Sequence, residues 1–240
     1  MRVTFIGTSH GIPEPEHRCS CTMLETRGRI YFVDMGTQAI EDLRRRNIDV
    51  EAVKGIFITH MHGDHVNGLL SFVDLCNWYF TSADPHIFLP TEEGAAAVKC
   101  WIASLDKRPW RGIDLNVTRE GTFYDDGFLK VTAVKTLHTR ISYAYIIESE
   151  GKTLLFTGDL KGTDIDYPKE VFGNKVDMVV CESAHIDPLS YIPVFEKSDI
   201  KRVFINHCQP RKVPNALELA ARLSGKTEVR LANDGMEVNL

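Results

Sequence analysis

Residues 59–65 read Thr-His-Met-His-Gly-Asp-His and follow a short apolar run, Ile56-Phe57-Ile58. His60, His62, Asp64 and His65 bring three imidazoles and a carboxylate into six positions. That donor set suits zinc and similar divalent ions, and an open coordination position makes such a site catalytic rather than structural. Alternate residues of an extended segment share a face, so His60 and His62 can turn the same way. Asp64 and His65 then point elsewhere, and the cluster splits between two neighbouring metals. A lone histidine is usually solvated or hydrogen-bonded; four metal-competent groups at one apolar strand end are not explained so simply.

Chemistry of this kind has to be held by strands, and the chain repeats one design to do so. Leu154-Leu155-Phe156-Thr157-Gly158 runs into Asp159, and Met178-Val179-Val180-Cys181 runs into Glu182, with His185 three positions on. Val203-Phe204-Ile205-Asn206 runs into His207, and a more polar strand over residues 129–137 delivers His138. Continuous apolar runs mark strands buried on both faces. Reactive residues just past their carboxyl ends fit a site along one edge of packed sheets. Further strands are expected at 3–7, 22–25 and 30–34, and helices at 37–46, 66–80, 92–105 and 215–223. The helix over 66–80 carries one polar stripe, Asn67, Ser71, Asp74 and Asn77, and its aromatic end, Trp78-Tyr79-Phe80, belongs to the core or a subunit interface. Pro214 opens the last helix and Gly225 stops it. Two similar halves of this kind suit an α/β (α+β) sandwich, two central sheets with helices outside, as a single domain over 1–240.

Composition narrows the function classes without choosing among them. A chain of 240 residues with 43% hydrophobic content can bury one sizeable core. Its formal charge of −5 argues against a general nucleic-acid coat or a binder of anionic membranes. Met1-Arg2-Val3-Thr4-Phe5-Ile6 enters a strand-like run at once, which leaves no room for a signal peptide, and no apolar stretch is long enough to span a bilayer. A cytoplasmic location with reduced thiols is therefore expected. Cys76, Cys100, Cys181 and Cys208 read as small buried thiols. Cys19 and Cys21, beside His17, form a Cys-x-Cys pair, but a structural zinc there needs two more ligands.

The ligand-type residues together resemble the hallmark of metallo-β-lactamase-fold hydrolases, a His-x-His-x-Asp-His loop followed by a distant His, Asp and His. The resemblance runs from the first strand to the last histidine and implies a four-layer αββα sandwich. It assigns His60, His62 and His138 to one metal and Asp64, His65 and His207 to the second, with Asp159 bridging. It implies two divalent ions, zinc first and manganese as the alternative. Two such ions about 3.5–4 Å apart share a water, lower its pKa towards neutrality and clamp the attacking and leaving oxygens. The nucleophile is then a metal-bridging hydroxide, from which Asp64 can accept a hydrogen bond. Asp34 resembles the Asp of an Asp-x-Gly element of this fold, where it would fix the second nitrogen of a metal-bound imidazole; the alternative is an aspartate that caps the next helix.

Two metals do not protonate a leaving group. Glu182 and His185 read as a general-acid pair, the alternative being a turn histidine before Pro188. A similar Glu and His occur in the transfer-RNA 3′-processing branch and in the phosphodiesterase accessory to carbon–phosphorus bond cleavage. Residues 5–13, Phe-Ile-Gly-Thr-Ser-His-Gly-Ile-Pro, resemble the opening Gly-Thr-Gly loop of those phosphodiesterases, with Ser9 in place of the second glycine. In that loop His10 is a candidate substrate contact, and Arg140 is a candidate for a phosphate because its planar fork suits that group.

Departures from those relatives shape the expected partner. The RNA-processing branch carries a long gripping arm between the equivalents of His138 and Asp159, where this chain has only twenty residues (139–158). This argues against a long RNA. The accessory enzyme has a fuller cysteine-based zinc site than Cys19 and Cys21 provide. The expected function is a dinuclear metal-dependent phosphodiesterase for small or cyclic phosphodiesters or nucleotides, with no membrane partner and with a homodimer as a candidate assembly. The alternatives are a lactonase- or thioesterase-type carboxyl-ester hydrolase and a non-catalytic metal-dependent binding protein.

Overall fold

Strand residues alternate between two apolar surroundings, which is why their runs are apolar without a break. In the strand that precedes the histidine loop, Phe57 faces one core while Ile56 and Ile58 face another. The computed structural model describes residues 1–105 and 110–240. In chain order its strands are β1 (Arg2–Gly7), β2 (Cys21–Thr26), β3 (Arg29–Met35), β4 (Val53–Phe57), β5 (His86–Leu89), β6 (Leu115–Val117) and β7 (Gly121–Asp125). They continue with β8 (Lys130–Thr136), β9 (Ser142–Ser149), β10 (Lys152–Phe156), β11 (Met178–Ser183), β12 (Arg202–Cys208), β13 (Glu228–Leu231) and β14 (Glu237–Asn239). The helices are α1 (Ile40–Arg45), α2 (Gly63–Trp78), α3 (Glu92–Ser104), α4 (Ile192–Glu196) and α5 (Val213–Arg222).

Among the described residues the strands make two seven-stranded sheets, ordered β14-β1-β2-β3-β4-β5-β6 and β13-β12-β11-β10-β9-β8-β7. Each sheet is antiparallel at one end and parallel at the other. Pairings are antiparallel from β14 to β3 and from β7 to β10, then parallel from β3 to β6 and from β10 to β13. Parallel-paired strands β4, β10 and β12 lead to the histidine loop, Asp159 and His207, while His138 follows β8 in the antiparallel half.

Three cores separate four layers. Phe5, Tyr31, Phe57, Tyr145, Phe156 and Phe204 fill the space between the sheets. Leu43, Leu69, Phe72 and Ile102 press α1, α2 and α3 on the outer face of the first sheet. Phe195 and Leu219 seat α4 and α5 on the second. The architecture is the metallo-β-lactamase αββα sandwich that the sequence led us to expect.

Boundaries differ where the site intrudes. Helix α2 begins at Gly63 rather than 66, so Asp64 and His65 lie in its first turn, and Asn77 of the polar stripe is buried, its Oδ1 accepting the Arg111 amide at 2.9 Å. Trp78 and Tyr79 are substantially exposed. Helix α1 spans Ile40–Arg45 within the expected 37–46, and α5 starts at Val213, with Pro214 in its first turn. No described helix is long and apolar enough to cross a membrane.

The α2 N-terminus is pressed against the end of β3. A Cβ placed on Gly36 would stand 1.8 Å from the Asp64 carbonyl oxygen, so only glycine allows this approach. Gly36→Ala must push α2, and Asp64 with it, away from the sheet. We expect a stability loss of about 1–3 kcal/mol, typical of overpacking, together with weakened metal retention. Denaturant unfolding and metal analysis of the purified variant check both.

Candidate metal centre

The ligand-type residues predicted from the sequence sit at strand ends or in the loops just beyond them, or, for Asp64 and His65, in the first turn of α2, on one edge of the sandwich. Contacts from β9 of the second sheet hold the start of the histidine loop: the Tyr143 amide donates to Thr59 O (3.0 Å) and the Tyr145 hydroxyl donates to Ile58 O (2.6 Å). Asp34, at the end of β3, accepts from the Thr59 amide at 2.8 Å and stands 2.7 Å from His65 Nδ1. It therefore bonds the loop backbone and one imidazole together.

Two groups of donor atoms result, His60, His62, His138 and Asp159 in one and Asp64, His65 and His207 in the other. In the first, His62 Nδ1 lies 3.0 Å from His60 Nε2 and 3.2 Å from His138 Nε2. In the second, Asp64 Oδ2 lies 3.3 Å from His65 Nε2 and 3.4 Å from His207 Nε2. Asp159 joins them, with Oδ1 3.5 Å from His65 Nε2 and Oδ2 3.6 Å from both His138 Nε2 and His207 Nε2. Ligands on a tetrahedral ion with bonds of about 2.0–2.1 Å stand about 3.3 Å apart. The donor spacings fit such ions. Buried His65 Nε2 and Asp159 Oδ1 have no hydrogen-bond partner among the described residues. Orphaned groups of this kind cost about 1–3 kcal/mol each, and a bound cation would satisfy them.

Electrostatics divide the two groups. Burial pushes His60 down to about 2, helped by the neighbouring charge of His65, and burial also lowers His138. Both are held as neutral imidazoles, the form that binds metal. Burial would likewise lower His65, but Asp159 and Asp34 outweigh it and raise this ring well above the ordinary histidine range. Burial opposes ionisation of Asp159 and Asp64 too, yet His65 and His207 keep both carboxyls well below their usual values. The second group is thus a place where positive charge is strongly favoured.

His185 stands beside the first group. Its Nδ1 is 3.4 Å from Asp159 Oδ2 and 3.5 Å from Glu182 Oε1, and its ring centroid is 4.5 Å from that of His138. The hydrogen bond that its ring donates to Glu182 raises its pKa against burial. Glu182 is buried and also accepts the His185 amide at 2.8 Å and the Leu160 amide at 3.2 Å. Lys212 completes this support by donating to Ala184 O (2.8 Å) and Ile186 O (3.0 Å), the carbonyls on either side of His185. Lys212 carries no sequence signature, because its partners are main-chain carbonyls.

The remaining sequence candidates lie at the periphery. The opening loop approaches the second group, since a Cβ on Gly11 would stand 3.7 Å from Asp64 Oδ2, but His10 turns its Nε2 to Glu14 at 3.0 Å. Arg140 is largely exposed and stands 3.7 Å from Glu93. Cys21 is buried in β2 and Cys19 half-buried, and neither joins a metal-competent group among the described residues.

Fold and site together define the class as metallo-β-lactamase-fold hydrolases. Within it the chain belongs to the family described as Anti-Pycsar protein Apyc1, whose model matches residues 1–185. Among curated relatives it is 29% identical over 143 residues to ribonuclease Z of Thermosynechococcus vestitus, covering 59% of this chain and 35% of that protein. It is 31% identical over 157 residues to ribonuclease BN of Cronobacter sakazakii, covering 63% and 51%. The chain therefore spans about a third to a half of these relatives' lengths. The metallo-β-lactamase fold protein YhfI from Bacillus subtilis superposes with a TM-score of 0.78 at 17% identity over 99% of both chains. A diphosphatase from the PhnP family gives 0.74 at 16% identity, covering 100% of this chain and 97% of that one. The short form of human tRNase Z gives 0.69 at 20% identity, covering 100% and 99%.

Asp34 offers a direct test of the second group. Removing the carboxylate in Asp34→Ala frees the His65 ring and the Thr59 amide, and we expect divalent-metal affinity to fall about 10–100-fold. Titration of the metal-loaded chain with a competing chelator reads that shift; unchanged retention would show that Asp34 only caps the end of β3.

Proposed function

We propose that this chain is a dinuclear metal-dependent phosphodiesterase, with zinc as the first-choice ion, acting on small or cyclic phosphodiesters or nucleotides. The observation that carries the reading is the position of Asp159, a buried carboxylate shared between two donor groups with His185 and Glu182 beside it. His60, His62 and His138 would hold one ion, Asp64, His65 and His207 the other, and Asp159 would bridge them. A pair of divalent ions supplies an activated water and neutralises the oxygens of a transferring phosphoryl group. The protein's own residues must do the rest. Asp64 and Asp159 hold negative charge opposite the phosphodiester and so favour binding only when cations lie between. Glu182 orients His185 through its main-chain amide, and the outer nitrogen of that ring, Nε2, is the atom left to give a proton to a departing alkoxide. Arg140 and His10 are candidate contacts for the ends of the substrate.

The span between His138 and Asp159 supports a small substrate. It is occupied by β9, the Glu150-Gly151 turn and β10, a tight hairpin within the second sheet that leaves no length for a gripping arm. Similarity to proteins named ribonuclease Z supports phosphodiester chemistry, while this hairpin favours a shorter ligand. The protein is expected to work as a soluble cytoplasmic single domain.

The test is a panel of chromogenic phosphodiesters, cyclic nucleotides, a precursor transfer RNA, phosphomonoesters, a lactone and a thioester, with zinc and manganese supplied separately. Small phosphodiesters should lead. A lactone or thioester turned over about a hundredfold faster in kcat/KM, about 2.7 kcal/mol in transition-state binding, overturns the reading. Metal analysis should approach two ions per chain.

His185→Ala should lower kcat by about a hundredfold for poor leaving groups, within the usual range of acid catalysis, and much less for nitrophenolate. Metal content should stay unchanged. Equal losses for good and poor leaving groups, or loss of metal, would remove His185 from the role of acid.

A further inference from the structure

His138 and Asp159 lie on different turns of the second sheet, and among the described residues no carboxylate hydrogen-bonds the His138 ring as Asp34 bonds His65. Its hydrogen-bond contact among the described residues is His62, another ligand candidate. Its place must therefore be set through the main chain. One side chain is built to do this. Asp166 Oδ2 accepts from the Leu137 amide at 2.7 Å and from the Lys161 amide at 3.1 Å. Its Oδ1 accepts from the amides of Lys161 and Gly162, both at 3.0 Å. Leu137 immediately precedes His138, and Lys161 follows Asp159 by two positions.

The segment that carries Asp166 is itself closed on this point, because Gly162 O accepts from the amides of Ile165 and Asp166, each at 3.1 Å. Asp166 is 9% exposed, so these charge-assisted bonds are largely shielded from water. We propose that Asp166 is a positioning residue for the first metal: its carboxylate ties the main chain before His138 to the main chain after Asp159. This tie sets the relative main-chain positions from which His138 and Asp159 bring Nε2 and Oδ2 to 3.6 Å. The inference rests on the two-ion reading above, and it assigns a supporting group to His138, whose ring contacts only another ligand candidate among the described residues.

The experiment uses the zinc-loaded full chain and graded competition by a chelator, with released metal counted. In Asp166→Ala one ion should leave at about 10–100-fold lower chelator concentration, the usual cost of losing such an outer partner. The other ion should leave as in the parent, whereas Asp34→Ala should loosen the opposite one. Asp166→Ala combined with His138→Ala should lose no more than His138→Ala alone, because the placement of His138 against Asp159 that Asp166 sets no longer matters once His138 is gone. Retention of both ions as in the parent, loosening of both together, or additive losses would each overturn the proposal. If Asp166→Ala does not fold, Asp166→Asn decides: its amide keeps one acceptor for Lys161 and Gly162 but turns a donor towards the Leu137 amide, and one ion should again loosen. A parent chain that binds a single ion defeats the two-ion reading instead; Asp166 then stands if that ion loosens in the variant and falls if it does not.

Discussion

Asp159 is the constraint around which the molecule is arranged. Its carboxylate is buried, and five imidazoles, those of His60, His65, His138, His185 and His207, approach it at 3.4–3.7 Å. A carboxylate removed from water without compensation is prohibitively costly. Groups that favour the ionised carboxylate must therefore surround this one, and the chain supplies them by bringing strand ends of both sheets and the first turn of α2 to one point. That demand reaches into the backbone. Gly158 takes φ +56, and a Cβ there would meet Tyr143 O at 2.9 Å and Thr59 Cβ at 3.1 Å. Asp34 (φ +57) and His207 (φ +53) adopt the same left-handed conformation without being glycine. Strain of this sort costs about 1–3 kcal/mol per residue and persists only where surrounding structure over-determines it. Here the three apolar cores provide that determination.

A second level of order lies behind the ligands. Asp34, Glu182, Asp166 and Lys212 all direct charge at main-chain amides or carbonyls of the loops that carry ligands or His185. Loops are ordinarily the mobile part of a fold. These are stiffened by charged side chains rather than by sheet pairing, which keeps the edge open to substrate while holding each imidazole in place. The division of labour is consistent: strands set which residues arrive, and the charged braces set how they are turned.

Much of this was legible in the residues. His60, His62, Asp64 and His65 announce themselves by spacing, and His138, Asp159 and His207 by standing at the ends of strand-like runs. Asp34 and the Glu182–His185 pair were also within reach, since each follows an apolar strand. What could not be read has a common cause. Asp166 and Lys212 bond only to main-chain atoms far away in sequence, so nothing in their own neighbourhood marks them. Strands β5, β6, β13 and β14 are three or four residues long and obtain their identity from neighbours that pair with them. The start of α2 was misplaced because a metal loop reads as extended. In fact the helix begins within it, with Asp64 at the positive end of its dipole, a favourable place for a carboxylate.

Substrate size follows from the same geometry on the proposed reading. The fold is indifferent to what lies between His138 and Asp159, because β9 and β10 need only to pair and return. Here that return is the two-residue turn Glu150-Gly151, with Glu150 at φ +52 and Gly151 at φ +70, the left-handed pair that suits the twist of a tight hairpin. Any extension for gripping a long polyanion would have to be inserted at this turn, outside the hydrogen-bonded register. The formal charge of −5 acts in the same direction, since a long nucleic acid must approach a surface of like overall charge, while a small phosphodiester meets mainly the local field of the site. Two divalent cations against the carboxylates of Asp64 and Asp159 leave enough positive charge to balance a single phosphoryl group, but not a chain of them. On the proposed reading the centre is matched to a ligand whose charge is concentrated where the metals would be.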